Sequence, residues 1–243
     1  WFGKPAFYIY SVIFLFIALL MSGSSPGLFD FLTVTTGSSK IVNSPLGITG
    51  LFGGLSGLLI FLYPSIIGVA VYRDYKSEMH TILYSYPFTK LQYLLAKFFS
   101  GIFVVNIIVL IVALGIGIGF VLPGTNQEIV QSFDFKSYSD VYLIYILPNM
   151  LFIGAIVFGI VTFTRNISAG FITVLILLIL QGFLVSLFDD PEKRLIAAIL
   201  DPFGDSAIQY YTRYWTVSEQ NELYLPIREV LIYNRLLWGA LGI

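Results

Sequence analysis

The sequence predicts an all-α, polytopic membrane protein of about six transmembrane helices, and three observations predict it. Charged residues are scarce, at 11% of 243, where a soluble domain carries about 25%. Hydrophobic residues make up 57% and aromatic residues 17%, so lipid must be the solvent for most of the surface. The apolar residues also fall into runs of the length that a bilayer demands, about 20 residues each.

Taken in order, the first run is Pro5 to Met21, ended by Gly23-Ser24-Ser25-Pro26-Gly27. No small-x-small cleavage site follows it and further spans do, which sets it apart from a signal peptide. The second, Leu46 to Val71, is longer than the hydrocarbon core, so it tilts or projects, and Pro64 kinks it. The third is Phe98 to Leu122, closed by Pro123-Gly124-Thr125-Asn126. The fourth is Val141 to Phe163 and the fifth Ser168 to Phe188. Only Thr164-Arg165-Asn166-Ile167 separates these two, which makes them an antiparallel hairpin. The sixth starts near Pro226 and is still apolar at Ile243. Since the sequence also begins at Trp1 rather than Met, it reads as a piece of a longer chain. Residues 1–243 then form one transmembrane domain, with a segment 72–97 on one side and an insertion 189–225 on the other.

Basic residues in short loops set the orientation. Lys4 precedes the first span; Arg73, Lys76, Lys90 and Lys97 lie between the second and third; Arg165 lies between the fourth and fifth. The alternate loops carry only Lys40 and Lys136. This places the amino end and segment 72–97 in the cytoplasm and the insertion outside. In the insertion, Asp190-Pro191 and Asp201-Pro202 read as N-caps followed by proline at the first helical position. Helices are expected near Pro191 to Leu200 and Pro202 to Trp215. Leu195, Ile196, Ile199 and Leu200 give the first an apolar face, and Tyr210, Tyr211, Tyr214 and Trp215 suit the membrane interface. These helices are expected to dip into the outer leaflet.

Several kinds of chemistry lack their residues. There is no Cys and one His, which leaves no thiolate metal site and no disulfide. Net charge is −1, so no field argues for nucleic acid. No G-x-x-x-x-G-K-[ST] and no G-x-S-x-G occurs. The five complete runs contain no Asp, Glu, Lys, Arg or His, which counts against an ion-coupled carrier. Asn106, Asn149 and Gln181 read as cross-helix hydrogen-bonding groups. In the second run Gly50, Gly53, Gly54 and Gly57 make two overlapping G-x-x-x-G pairs, and the third holds Gly115, Gly117 and Gly119; small residues let helix backbones approach closely, within the chain or against a second permease half.

Segment 72–97 is the most informative. Met79, Ile82, Leu83 and Tyr86 repeat at the spacing of one helical face, Pro87 stops that helix, and Thr89 with Gln92 matches a capping box for the next. The pattern is a short amphipathic helix, a tight corner and a helix entering the membrane. The motifs Arg73-Asp74, then Ser85-Tyr86-Pro87-Phe88-Thr89-Lys90, then Leu94-Leu95-Ala96-Lys97 resemble the signature of ABC-2 type transporter permeases. Glu78-Met79 and Thr81 depart from the family's usual Gly-Thr and acidic positions. The resemblance implies a coupling helix that inserts into a nucleotide-binding subunit, with Arg73, Asp74, Glu78, His80, Thr81, Tyr84, Pro87 and Lys90 as the contact and corner residues. It implies that ATP and Mg are bound by that partner, with no cofactor in this chain, and that two such halves form the pathway of an exporter in the bacterial inner membrane. Asp201-Pro202-Phe203-Gly204, Thr212-Arg213-Tyr214-Trp215-Thr216 and Asn234-Arg235-Leu236-Leu237-Trp238 resemble more narrowly the bacterial permeases fused to an M1-family aminopeptidase domain, although no H-E-x-x-H is present here. The competing expectations are an ion-coupled carrier or channel, and a membrane anchor for a peptidase.

Overall fold

The computed structural model describes residues 3–28, 41–77 and 89–242. Among them the regular structure is helical throughout, with no strand. The helices are α1 Pro5–Ser24, α2 Pro45–Leu59, α3 Val69–Lys76, α4 Lys90–Phe120, α5 Phe135–Asp140, α6 Leu147–Thr164, α7 Ile167–Phe188, α8 Arg194–Leu200, α9 Asp205–Thr212, α10 Val217–Glu222 and α11 Glu229–Gly242. Two π-helical segments, Tyr63–Gly68 and Val141–Ile146, lead into α3 and α6.

Among the described residues, four helical stretches are long and apolar enough to cross a membrane: Pro5–Ser24, Lys90–Phe120, Phe135–Thr164 and Ile167–Phe188. A fifth counts if Pro45–Leu59 and Tyr63–Lys76 are one broken span. The protein is therefore an all-helical membrane protein. The sixth expected run becomes α11, 14 residues long. It runs to Gly242, the last described residue.

Both π-helical segments have a proline beside them, Pro64 within the first and Pro148 two residues after the second. A proline ring clashes with the carbonyl four residues back and removes a donor, and a local switch to i→i+5 bonding relieves both. This is where the expected kink at Pro64 resolves: α2 stops at Leu59 and the chain resumes at Tyr63 in the wider helix. The third span begins eight residues earlier than its hydropathy, at Lys90, because the capping box forms. Thr89 N–H donates to Gln92 Oε1 at 3.0 Å, and Gln92 N–H donates to Thr89 Oγ1 at 3.3 Å. The fourth begins at Phe135 because the Asp134 carboxylate accepts from the N–H groups of Lys136 and Ser137.

The chain divides into two compact units. The first comprises Trp1–Ser56, Asn106–Ile146 and Ile208–Arg228. There α1 lies close along the second half of α4. A β-carbon on Gly115 would stand 3.0 Å from the Ala18 and Leu15 side chains, and one on Gly119 would overlap the Ser22 hydroxyl. Ile48, Leu51, Phe52, Leu55, Ile108 and Ile116 form its core. The second comprises Gly57–Val105, Leu147–Ala207 and Glu229–Ile243. The α6–α7 hairpin packs on the Pro64 π-helical segment, with Gly170 against Pro64 and Val161, and Gly68 against Val157, Val161 and Ile167. The α11 helix lies on α6, where the Trp238 and Phe152 rings are 4.9 Å apart.

The insertion departs from expectation in two ways. Neither Asp-Pro pair caps a helix at its proline. Asp190 instead accepts from Glu192 N–H and Asp201 from Phe203 and Ser206 N–H, so α8 starts at Arg194 and α9 at Asp205. These bonds are local turns that short carboxylates make readily. A third helix, α10, forms behind a capping box of Thr216 and Glu219. On α8 the apolar residues Leu195, Ile196 and Leu200 are exposed, as a face that enters a leaflet would be, while Ala197 and Ala198 are buried.

Candidate functional site

Of the residues implied as coupling contacts, Glu78, His80, Thr81, Tyr84 and Pro87 lie outside the described residues. The two flanks of that segment are described, and they meet. Asp74 on α3 is buried. It accepts a hydrogen bond from the Tyr93 hydroxyl and pairs with Lys97 Nζ at 2.6 Å, both on α4. Tyr93 and Lys97 are four residues apart, so one helical face presents both to one carboxylate. The chain that leaves at Ser77 and returns at Thr89 is thus closed at its base by a charged clamp and restarted by the Thr89 capping box. Arg73 and Lys90, by contrast, are exposed. Beside the clamp, the Arg165 guanidinium in the α6–α7 turn lies 5.1 Å from the centroid of the Tyr75 ring. Arg73, Lys97 and Arg165 therefore gather at one end of this unit. Sequence reasoning places Lys97 in a motif but not among the contacts, and it misses Tyr93; the i, i+4 pairing with Lys97 is the available signal.

A second polar cluster occupies the same unit. Asn149 on α6 donates to the Phe203 carbonyl at 2.9 Å. Arg235 on α11 donates to that carbonyl at 2.7 Å and to Asn149 Oδ1 at 2.6 Å. Asn234, fully buried, donates to the carbonyls of Ala198, Ile199 and Asp201. Gln181 on α7 donates to the Asp205 carboxylate at 2.7 Å. Asn149 and Gln181 are cross-helix hydrogen-bonding groups, as expected, with partners in the insertion, Phe203 and Asp205, and, for Asn149, also Arg235 on α11. Sequence reasoning gives Arg235 no role beyond its place in a motif. A run of Asn234, Arg235 and Trp238 on one side of an otherwise apolar helix is the signal that it faces protein.

The glycine expectations divide. Gly115 and Gly119 are close-approach positions, within the chain and against α1. Gly50 and Gly57 have nothing within 4 Å of where a β-carbon would stand, and Gly54 meets only the tip of Met21. Other tight glycines include Gly47 in the first unit and Gly68, Gly101, Gly154, Gly170 and Gly204 in the second. The first unit also holds an apolar groove of about 830 Å³ lined by α4 and by Phe135, Tyr138 and Tyr142, with no charged side chain in its lining. Among the described residues, no three His, Cys, Asp or Glu side chains gather to hold a metal ion. No family model matches the chain, and neither does any curated protein or solved structure.

Proposed function

We propose that this chain is the membrane-spanning permease of an ATP-driven exporter of the ABC-2 type in the bacterial inner membrane. It works with a separate nucleotide-binding subunit that holds ATP and Mg, and with a second permease half. In this reading it has six spans, with α11 entering the sixth, both segment 72–97 and the amino end in the cytoplasm, and the insertion outside. The observation that carries the reading is the clamp. A helix that transmits a push from a soluble motor needs a stiff base, and Asp74 with Tyr93 and Lys97 closes the base of the segment whose residues resemble the coupling signature. Basic residues gathered at that end of the unit favour the cytoplasmic side.

The experiment uses the complex purified with its nucleotide-binding subunit, comparing the wild type with the Tyr84→Ala, Glu78→Lys double variant. Aromatic residues dominate many interfaces, so the variant should insert normally yet lose the ATPase subunit or its stimulated hydrolysis. Normal copurification together with normal stimulation would reject the coupling role.

A second reading, an ion-coupled carrier, is favoured by one observation: the Arg235 guanidinium and the Asp205 carboxylate bond to side chains of helices long enough to span the membrane. Transport that follows an imposed ion gradient without ATP would select it.

A further inference from the structure

Gly115 and Gly119 are taken up by α1, but the third glycine of that half of α4, Gly117, is not. A β-carbon there would meet only the Tyr138 hydroxyl, at 3.7 Å. Gly117 and Ala113, one turn earlier, line the apolar groove of the first unit, and their small side chains leave it its depth. Leu114, Ile118 and Val121 on the one side, and Phe133, Phe135 and Leu143 on the other, line it and are exposed. Along α4 the lining runs from Val109 to Val121, about 18 Å. One leaflet of a ~30 Å hydrocarbon core is about 15 Å deep. The groove occupies the carboxyl-terminal half of α4, as far as the end of that helix at Phe120, so it fits within a single leaflet. In the orientation proposed above, that is the outer one. At its deep end the Tyr142 hydroxyl donates to Asn106 Oδ1 at 2.9 Å, so this pair is satisfied within the protein.

We infer that this groove seats one acyl chain of a zwitterionic phospholipid, held as a structural lipid between α4 and the start of the Phe135–Thr164 span. A polar ligand would give up its bonds to water there and find nothing to replace them. Spread over its length, about 830 Å³ is a mean cross-section of about 46 Å², roughly half that of a helix 10–12 Å across. A helix would therefore cover the groove without filling it, whereas a hydrocarbon chain enters it. The charges beside the groove select the headgroup. Lys136 and Asp140 stand one turn apart on α5, on the side of Ser139, which lines the groove. The Lys136 ammonium lies over the Tyr224 ring, 3.6 Å from its centroid. A cation and an anion one turn apart match the phosphate and the ammonium of a phosphoethanolamine headgroup. A purely anionic headgroup would face Asp134 and Asp140 with a single lysine to hold it. The inference rests on the membrane reading of the two spans and is the same for an exporter, a carrier or an anchor.

Gly117→Leu fills the groove. Gly159→Leu places the same side chain on α6, where nothing lies within 4 Å of a β-carbon, and serves as the control. The protein is purified in detergent, stripped of loosely held lipid, given phosphatidylethanolamine or phosphatidylglycerol, and weighed by native mass spectrometry. The wild type and Gly159→Leu should each retain one phosphatidylethanolamine per chain, and its addition should raise their Tm. Gly117→Leu should bind it about tenfold or more weakly, since each methylene kept out of the groove loses its transfer free energy. Retention by Gly117→Leu equal to that of the wild type, or no lipid retained by the wild type, would overturn the seat. Equal retention of phosphatidylglycerol would overturn the headgroup assignment. A lipid-free wild-type dimer that Gly117→Leu splits would make the groove an interface between copies and overturn the proposal as well. Should Gly117→Leu fail to fold, Leu114→Gln decides. Leu114 is 65% exposed, so this change puts an amide in the lining at little cost in packing; a folded Leu114→Gln protein should lose the lipid, and one that keeps it overturns the seat.

Discussion

Adding one methyl group at Gly119 is expected to destabilise the protein, whereas the same change at Gly57 is expected to stabilise it. The contrast follows from what each β-carbon meets. At Gly119 it would overlap the Ser22 hydroxyl and stand 3.0 Å from the Leu19 carbonyl oxygen and from Ser22 Cβ. The hydroxyl cannot move freely, because it donates to the Ala18 carbonyl at 2.7 Å. Two of the three obstacles are backbone or its first side-chain carbon, so α1 and α4 must separate. Overpacking of this kind costs about 1–3 kcal/mol, less up to about 1 kcal/mol gained because alanine is the better helix former. At Gly57 nothing lies within 4 Å, so only the helix-forming gain remains. The two variants should therefore differ by about 2 kcal/mol, or roughly 4–8 °C in Tm for a chain of this size. Thermal unfolding in detergent, followed by the fluorescence of the three tryptophans, measures it. A Gly119→Ala protein as stable as Gly57→Ala would refute the packing of α1 on α4. A further variant separates the two uses of glycine: if the α2 face docks on a second permease half, Gly57→Leu weakens association without lowering the Tm of the isolated chain.

Removing the clamp should also be measurable. Breaking a buried ion pair costs about 3–5 kcal/mol, and with Lys97 about a quarter exposed a smaller loss of about 2 kcal/mol is expected for Asp74→Ala. Asp74→Ala with Lys97→Ala should cost less than the sum of the single changes, and strict additivity in that cycle would dismiss the pair as a contributor. Thr89→Ala removes one side of the capping box and should cost about 1 kcal/mol, seen as faster hydrogen exchange at the amides of residues 90–92; unchanged exchange would mean the helix starts without its cap. The hydrogen bond from the Ser137 hydroxyl, with those from two backbone N–H groups, holds the Asp134 carboxyl below the usual carboxylate range. A depressed folded value means that its contribution is present above the unfolded pKa and lost as pH falls through the folded one. The amide of Ser137 should therefore lose protection in acid in the wild type but keep a flat profile in Asp134→Asn, and identical acid profiles would remove Asp134 from the account.

What is legible in the sequence divides by the range of the physics. Helix starts set by neighbouring residues are readable: the Thr89–Gln92 box lies within four residues and forms as written, and Pro64 breaks its span where a missing donor and a ring clash must act. The Asp-Pro pairs mislead for a related reason. Asp190 and Asp201 can cap a helix or close a local turn, and sequence alone does not rank the two; in both places the turn wins and the helix begins three or four residues later.

Contacts between distant segments are harder to read, because apolar spans carry little information about which face meets which neighbour. The G-x-x-x-G pattern marks α2, whose glycines Gly50 and Gly57 meet nothing, and α4, whose Gly115 and Gly119 meet α1. The pattern states that a face is smooth and not what covers it. On α8, likewise, the structure buries Ala197 and Ala198 and leaves Leu195 and Ile196 exposed. At a helix contact that admits only a close approach, the small residue is the buried one, and the larger apolar residues are left for lipid. Polar residues on apolar helices are the better guide to long-range structure, since each must find a partner. Asn149, Gln181 and Arg235 are such residues, and their hydrogen bonds converge on one five-residue stretch of the insertion, Asp201 to Asp205. Following those three side chains to their partners locates this buried stretch more directly than any count of spans.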